Sequence, residues 1–434
     1  MGRFKFREPS TAAGAIVFCA VLALCVARIA PVGSVFGVDA GAAQWVMTDF
    51  YSGGYYPVRA LVEGGNPYDR EQFMATYPVA DGFPPYLPAT LILHLPFGLM
   101  PPGIAAASYF AVTIVLTLLL AWTALVLAAG RGAASRGRVL MLAAMILVSR
   151  PGHWNLMAGQ RTLIYVLGTY ASLRFMNERP RLAGLGLALA MIKPTFGVPV
   201  AVMLLAARAF TSVVWGAVIT VAGSAPLLPV MVGRAGGVRP FIASLLQGFE
   251  AWQGVREIDP TTSLFRIELP AALSRWVGRD IGPEASSAIA ALLLCIGVVA
   301  VYRLTRDRGR IELSRVAAVV CSTVLLYVQH VGYDLLLLAW PCVAFFAACS
   351  PVKLERRPVP LLLAACYLAV IFNWLATWSF TRAVAPQSSW WVFIASINTV
   401  AVFGIWLVSI AAAFARRGAT TRVIEGEALP QGHG

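Results

Sequence analysis

Apolar runs separated by short polar stretches alternate along almost the whole chain. Six of these runs, 11–31, 104–129, 210–230, 284–302, 359–378 and 390–414, come close to or exceed the roughly 20 residues that a helix needs to cross a bilayer. Shorter apolar runs cover 138–150, 161–176, 313–329 and 335–349. Two more, 182–192 and 195–207, meet at Lys193-Pro194 and predict a broken pair of helices. The pattern predicts an all-α, polytopic membrane protein with about twelve transmembrane helices.

The segment 84–100 is apolar and almost long enough to cross a membrane. Prolines flank it on both sides, and Pro88 and Pro96 lie inside it. A crossing here would also carry the basic stretch 131–138 to the outside. Because proline interrupts a helix, we expect a broken helix that lies in the interface or dips back, and does not span.

Composition supports the membrane interpretation. Of the 434 residues, 59% are hydrophobic and only 12% are charged, far below the quarter or so that is usual in soluble domains. The net charge of +14 comes from Lys and Arg in short clusters between apolar runs, a pattern that sets membrane orientation and does not indicate nucleic-acid binding. The seven cysteines lie inside apolar runs without metal-ligand spacing, and the P-loop, Rossmann and HExxH motifs are absent.

Keeping the basic clusters in the cytoplasm fixes the orientation of every segment. Both termini are then cytoplasmic, and two loops, about 32–103 and 231–283, are external. We expect interfacial helices in the first external loop. Residues 1–414 form one transmembrane domain, and residues 415–434 form a short disordered cytoplasmic tail. The protein would lie in the cytoplasmic (inner) membrane.

This orientation brings scattered polar residues to the external face. They are Asp49, Arg59, Asn66, Tyr68, His153, Asn155, Gln160, Lys193, His330, Tyr333, Asp334 and Arg382. Ionisable groups at membrane depth are costly and usually mark a pathway or a site. One carboxylate facing several cations suits a reaction in which a hydroxyl loses its proton and a phosphate departs.

Each of these residues also has a plainer interpretation. Asp49 could be a solvated acid in a loop, and Lys193 could simply end a short helix at the headgroups. His330 and Gln160 could be ordinary interfacial residues, and Arg382 could bind lipid phosphate. Asp334 could merely pair with a nearby cation.

Several motifs resemble glycosyltransferase family 87, whose members are membrane mannosyltransferases of the GT-C superfamily that use polyprenyl-phosphate-mannose. The motifs are Asp49-Phe50 with a following tyrosine, GGNPYD at 64–69, Tyr77-Pro78, FPPYLPA at 83–89, LPFGLMPP at 95–102, Gly159-Gln160, AGLGLALAMIKP at 183–194 and the pair His330 and Tyr333. Two features depart from the family pattern. The usual Tyr-Pro-Pro is stretched over 77–85, and Arg161 stands where a small or amide residue is more usual.

The resemblance implies a GT-C fold with an external active site and inversion at the anomeric carbon. It makes Asp49 the general base. Lys193, Gln160 and His330 match recurrent polar positions of the family, which implies that they hold the donor phosphate or sugar. From their place at the external face we expect Arg382 and Arg59 to bind the donor as well, and Asn66, Tyr68, Asn155 and Tyr333 to contact the acceptor or a sugar.

The predicted function is therefore the transfer of a hexose, for which mannose is the leading candidate, from a polyprenyl-phosphate donor to a glycolipid or envelope glycan. The partners are those two substrates and the lipid bilayer, without nucleic acid; no metal and no cofactor are expected. Two alternatives stay open, a transporter or flippase of a lipid-linked sugar and a protein O-glycosyltransferase.

Overall fold

A computed structural model describes residues 9–29, 46–79, 81–84, 86–253, 259–306, 312–349, 358–377, 383–384 and 388–415. Within these ranges the fold is all-helical, as predicted, and no β-strand forms. One isolated antiparallel bridge joins Arg266 to Val331. The predicted tail at 415–434 lies outside the described residues except for Ala415.

The first half of the chain begins with one long helix and a set of short ones. Its helices are α1 (Thr11–Ile29), α2 (Thr48–Phe50), a π-helical segment (Tyr51–Tyr55), α3 (Tyr56–Val62), α4 (Arg70–Thr76), α5 (Ala89–Gly98), α6 (Pro102–Ala129), α7 (Arg136–Val148), α8 (Arg150–Ala158), α9 (Thr162–Phe175), α10 (Pro180–Met191) and α11 (Pro194–Ala206). A short 3₁₀ turn, Arg131–Ala133, links α6 to α7.

The second half contains the second predicted external loop and the last long helices. Its helices are α12 (Phe210–Ser224), α13 (Leu228–Arg234), α14 (Val238–Gln253), α15 (Leu269–Val277), α16 (Gly282–Thr305), α17 (Leu313–Tyr327), a 3₁₀ segment (Gly332–Leu338), α18 (Ala339–Ala348), α19 (Pro358–Phe372) and α20 (Ser389–Phe414).

Four described helices are long and apolar enough to cross a membrane. They are Thr11–Arg28, Pro102–Ala129, Gly282–Thr305 and Ser389–Phe414, and the bent pair α12 and α13 makes a fifth if it counts as one span. Six further apolar helices are only 10–17 residues long. The chain is therefore an all-helical membrane protein, while the count of twelve spans stays a prediction. Helix α5 has 10 residues, about half the length that spanning requires.

The stretch 153–160, whose polar residues His153, Asn155 and Gln160 were predicted to lie at the external face, is mostly helical. Helix α8 begins after Ser149, whose hydroxyl accepts a hydrogen bond from the Gly152 amide at 3.1 Å. It ends at Gly159, which has a φ of 69°. A capping hydroxyl at the start and a glycine in the left-handed conformation at the end are common at the two ends of a helix. Only Gly159 and Gln160 therefore form the turn.

Small residues allow helices to pack closely. A Cβ atom added to Gly14 would lie 2.7 Å from the Gly137 carbonyl oxygen, and one added to Gly168 would lie 2.6 Å from the Gly186 oxygen. Such small-residue contacts are typical of helix pairs in membranes. Cys25 near the end of α1 also lies 4.0 Å from the Leu147 carbonyl near the end of α7, so α1 and α7 run parallel.

Several helices run between two chemically different ends of the bundle. We call one the basic end, defined by Arg131, Arg138, Arg174, Arg181, Arg208 and Arg303, and the other the polar end, defined by Asp49, Gln160, Lys193 and Asp334. Helices α6, α9 and α11 start beside the polar end and finish at arginines of the basic end. The Arg208 guanidinium donates to the Tyr302 hydroxyl at 3.3 Å, which joins α11 to α16 there.

Candidate active site

Asp49 lies near the start of a helical stretch that the sequence did not indicate. Met47 precedes it with a φ of 56°, and the Met47 amide donates to the Met157 carbonyl at 2.8 Å. This bond ties the start of α2 to the end of α8. The half-buried Asp49 carboxylate accepts a hydrogen bond from the side-chain amide of Gln160.

Gly159 places Gln160 against Asp49. Its left-handed conformation ends α8, and the Gln160 amide then donates to the Asn155 carbonyl at 2.9 Å. A Cβ atom on Gly159 would lie 2.7 Å from the Cβ of Phe50 and 3.0 Å from the Met47 sulfur. Glycine is therefore required here both by backbone conformation and by space.

Arg161 extends from the same turn and is almost completely buried. Its guanidinium donates to the Gly53 carbonyl in the π-helical segment and lies 4.6 Å from the Tyr86 ring centroid. A side chain on Gly53 would overlap that guanidinium. The π-helical segment, a form often found at functional sites, thus accommodates a buried cation beside Asp49.

Burial raises the pKa of Asp49 to about 6. The Arg161 charge and the Gln160 hydrogen bond act in the opposite direction and lower the pKa without cancelling the effect of burial. A carboxylate with a pKa near 6 is ionised at neutral pH and is a stronger base than an ordinary aspartate. These properties suit a general base.

Asp334 is the centre of a second cluster. Its carboxylate lies 2.6 Å from the Lys193 Nζ, accepts from the Val331 amide at 3.2 Å and from the Thr162 hydroxyl at 3.2 Å, and lies 2.9 Å from the His330 Nδ1. Asp334 and His330 are completely buried. Asp334 was predicted at the external face, with simple pairing to a nearby cation as the plainer interpretation, and the cation that it pairs with is Lys193.

Two breaks in helices create this cluster. Lys193 has an extended backbone, with φ −107° and ψ 99°, between α10 and α11. His330 and Asp334 flank the start of the 3₁₀ segment that follows α17. The predicted break at Lys193-Pro194 is therefore present, and it leaves the lysine side chain free to reach across to Asp334.

The pKa of Asp334 is lowered although burial alone raises it. The Lys193 charge and the His330 contact more than offset the cost of burial. Asp334 is therefore ionised at neutral pH and holds both partners. The other ring nitrogen of His330, Nε2, is buried without a hydrogen-bond partner among the described residues.

The two clusters form one site because Gln160, Arg161 and Thr162 are consecutive. Gln160 binds Asp49, and the Thr162 hydroxyl binds Asp334. The Tyr333 ring borders this site, because it lies between Lys193 and Trp154. Its centroid is 5.6 Å from the Lys193 Nζ and 5.2 Å from the centroid of the Trp154 ring. The structure thus gathers five predicted residues: Asp49, Gln160, Lys193, His330 and Tyr333.

Other predicted residues lie apart from this site. Arg59 pairs with Glu63 one helical turn away. Asn66 and Tyr68 line a separate polar pocket described below. Asn155 is buried within α8, and its side-chain oxygen has no partner in the described part of the chain. Arg382 lies outside the described residues.

Sequence reasoning missed three contributors to the site. Tyr86 lies within the motif FPPYLPA that carried the resemblance, so a signal for it existed. Arg161 was noted only as a departure from the family pattern. Thr162, at the start of α9, carries no signal in a single sequence.

An apolar groove of about 450 Å³ begins beside the polar end. It is lined by residues of α6, α7, the 3₁₀ segment, α18 and α19, among them Ile146, Leu335, Val343 and Ile371. Leu335 directly follows Asp334, so one part of the groove adjoins the site. Its lining is almost entirely apolar, and this suits a hydrocarbon chain.

No group of three or more His, Cys, Asp and Glu side chains within the described ranges is arranged to hold a metal ion. Neither a curated protein nor a solved structure matches the chain. The family model for glycosyltransferase family 87 matches residues 85–341, more than half of the chain. Asp49 lies before the matched residues, and its assignment depends on the geometry above. The match includes Gln160, Lys193, His330 and Asp334, and the chain belongs to glycosyltransferase family 87.

Proposed function

We propose that this glycosyltransferase moves a hexose, with mannose as the first candidate, from a polyprenyl-phosphate donor to a hydroxyl of a glycolipid or envelope glycan. The observation that carries the proposal is the half-buried Asp49 carboxylate, which Gln160 orients beside two cations. Those cations are Arg161 and Lys193. Sugar transfer from a phosphate needs a base at one side of the anomeric carbon and positive charge at the other.

In the proposed reaction, Asp49 takes the proton from the acceptor hydroxyl as that oxygen forms a bond to the anomeric carbon. The bond between this carbon and the phosphate oxygen breaks, and polyprenyl phosphate leaves with the electron pair. Attack from the side opposite the phosphate inverts the anomeric configuration. No nucleotide, metal or other cofactor enters this scheme.

Lys193 and His330 suit the role of stabilising the departing phosphate. Asp334 holds Lys193 at the break between α10 and α11, where the lysine side chain keeps 13% of its surface exposed. Asp334 also accepts from Nδ1 of His330, so a His330 ring protonated on both nitrogens would present its Nε2–H, which has no partner in the described part of the chain, to a phosphate oxygen. Contacts of the donor with Arg382 and Arg59 stay predictions.

The apolar groove beside Leu335 supports a lipid-linked donor. Its volume of about 450 Å³ and its apolar lining suit the first isoprene units of a polyprenyl chain. A nucleotide-sugar donor would not need such a surface. The groove and the site adjoin, so the phosphate would lie near Asp334 while the tail follows α18 into the bilayer.

The distribution of charge supports an external site. Basic clusters remain in the cytoplasm, and arginines at the ends of α6, α9 and α11 define the basic end. Asp49, Lys193 and Asp334 lie at the other end of the same helices. With both termini cytoplasmic, the reaction would occur on the external side of the cytoplasmic membrane. A carrier would instead place its polar residues near the bilayer midplane.

Proteoliposomes containing the purified protein test the donor class. We expect label to pass from radiolabelled polyprenyl-phosphate-mannose to octyl α-mannoside, with or without a chelator of divalent metals. GDP-mannose with the same label should give no product. Product from GDP-mannose without lipid donor would contradict the proposal, as would movement of the lipid across the bilayer without any transfer.

A further inference from the structure

A polar pocket of about 820 Å³ lies beside the active site, between the two predicted external loops. The turn 64–69 and the first turns of α4 form one side, and α13 and α14 form the other. Its volume falls within the range of about 300–1,000 Å³ that is usual for sites of small organic ligands. The reaction proposed above does not use it.

Specific contacts hold the two sides of the pocket together. The Arg234 guanidinium at the end of α13 donates to the Leu61 carbonyl at 2.7 Å and to the Gly65 carbonyl at 2.8 Å. The Phe241 ring of α14 packs edge-on against Tyr68 at 5.7 Å. Two segments that lie about 170 residues apart in the chain therefore form the pocket together, as the Arg234 contacts show.

The lining suits a neutral ligand that is rich in hydroxyl groups. It combines amide, hydroxyl and charged side chains: Asn66, Asp69, Arg70, Gln72, Ser244 and Gln247. Glu71 and Arg234 also line the pocket. Its charges are therefore balanced, with two acids, Asp69 and Glu71, and two arginines, Arg70 and Arg234. A phosphate site would instead show an excess of positive charge. The side-chain amides of Gln72 and Gln247 make no hydrogen bond to the rest of the described chain, so both are available to a ligand.

The pocket adjoins the Asp49 site through two shared walls. Tyr68 lines the pocket, and its hydroxyl donates to the Tyr86 carbonyl at 2.7 Å. The Tyr86 ring in turn covers Arg161 beside Asp49. Arg70 also lines the pocket and lies 3.8 Å from Asp81, and the charge of Asp81 is close enough to raise the pKa of Asp49. An extended ligand could thus occupy the pocket and still present a hydroxyl near Asp49.

Helix α14 has an apolar face turned away from the pocket. Val238, Ile242, Leu246 and Phe249 are 59%, 49%, 57% and 44% exposed. At 3.6 residues per turn they lie roughly opposite Pro240, Ser244 and Gln247, which line the pocket. In a membrane protein such an amphipathic helix lies in the interface, with its apolar face among the lipids. The pocket would then open at the membrane surface.

We propose that this pocket binds the sugar part of a lipid-anchored acceptor, whose tail remains in the bilayer beside α14. This inference rests on the proposed function and specifies its acceptor. It favours a glycolipid over a protein acceptor, because the pocket accepts hydroxyls and lies beside the lipid surface.

Photolabelling tests the pocket without requiring catalysis. The probe is octyl α-mannoside with a diazirine on the sugar, added to proteoliposomes of the D49N variant. We expect mass spectrometry to find label in residues 64–74 and 240–251. Unlabelled octyl α-mannoside should compete at concentrations at least about tenfold below those of methyl α-mannoside, because only the octyl compound partitions into the bilayer. Label found only outside these two segments, or no label at all, overturns the assignment of the pocket. If octyl and methyl α-mannoside compete at equal concentrations, the inference that the acceptor is anchored by a lipid tail is overturned.

Kinetics provide the second test. Ala243 lines the pocket, so the indole of A243W should occupy part of it and raise the KM for octyl α-mannoside by at least about tenfold, with the KM for the donor unchanged. The matched control is G132W, because Gly132 is exposed at the basic end and a side chain there meets open space. An unchanged acceptor KM in A243W overturns the inference. A wild-type protein that labels in the pocket but transfers no sugar would refute only the proposed function.

Discussion

The side-chain amide of Gln160 donates a hydrogen bond to the carboxylate of Asp49, although 111 positions separate the two residues. The contact joins the first predicted external loop to the turn between α8 and α9. It orients the carboxylate, and the Arg161 guanidinium lies on the same turn. The base of the proposed reaction is therefore positioned by residues that belong to the part matched by the family model.

The pH dependence of transfer should report the ionisation of Asp49. Burial raises its pKa to about 6, and only the ionised carboxylate can accept a proton. We expect kcat/KM to rise with pH through about 6 and to level off above it. The measurement is the initial rate of transfer between pH 4.5 and 8 in proteoliposomes. A rise of kcat/KM centred near pH 4 would indicate an ordinary, solvated carboxylate and would contradict the buried site.

Replacing Arg161 by methionine should shift the acid limb of the pH profile, which is the rise of kcat/KM with pH through about 6. The guanidinium charge lowers the pKa of Asp49, so its removal raises the pKa and shifts the limb to higher pH. R161K keeps the charge and should leave the limb closer to that of the wild type. R174M, at the basic end, is a control that removes an equal charge from an exposed pair with Glu178. An identical limb in R161M and wild type would show that Arg161 does not act on Asp49.

The pair of Lys193 and Asp334 should contribute strongly to stability. K193M leaves the Asp334 carboxylate buried without its main partner, which typically costs about 3–5 kcal/mol. The double variant K193M/D334L removes both charges and should recover much of the lost Tm, yet it should not transfer sugar. Thermal unfolding in detergent measures the first effect, and the transfer assay measures the second. Recovery of activity in the double variant would exclude Lys193 from phosphate binding.

Acid should weaken the same pair. The folded-state pKa of Asp334 lies below its ordinary value of 3.8, so its contribution to stability is fully present at neutral pH. The contribution is lost as the pH falls from about 4 towards 2. Wild-type Tm should therefore fall more steeply in this range than the Tm of K193M/D334L. Parallel curves for the two proteins would contradict the assignment.

A methyl group on Gly53 should displace the Arg161 guanidinium. A Cβ atom at this position would overlap the Arg161 guanidinium, so G53A must displace the cation or the π-helical segment. We expect a loss of about 1–3 kcal/mol in stability and a clear fall in kcat. G132A is the matched control, because a Cβ atom there meets nothing within 4 Å. Wild-type activity in G53A would show that the position of Arg161 is not required.

Much of the fold could be predicted because apolar periodicity is a local property. The long helices α1, α6, α16 and α20 follow directly from their runs, and the break at Lys193-Pro194 follows from proline chemistry. The helical stretch after Met47 could not be predicted. Its short, glycine-containing sequence has weak helix propensity, and packing against α8 and α5 stabilises it.

The site could be predicted only in part, for a similar reason. Topology indicated that Asp49, Gln160, Lys193 and His330 share one end of the bundle, and the structure places them together. Topology cannot specify pairing, so the central position of Asp334 was not evident from the sequence. The partners of a buried charge depend on helix packing between residues far apart in the chain, as the 141 positions between Lys193 and Asp334 illustrate.

The most direct test of the account compares wild type, D49N and D49E in sugar transfer from radiolabelled polyprenyl-phosphate-mannose to octyl α-mannoside. D49N keeps the size of the side chain and one oxygen that can accept from Gln160, but it cannot take up the proton. We expect D49N to lose about 10²–10⁴-fold in kcat with little change in the KM for the donor, and D49E to retain part of the activity. Transfer by D49N at a rate close to that of the wild type would contradict the assignment of Asp49 as the base.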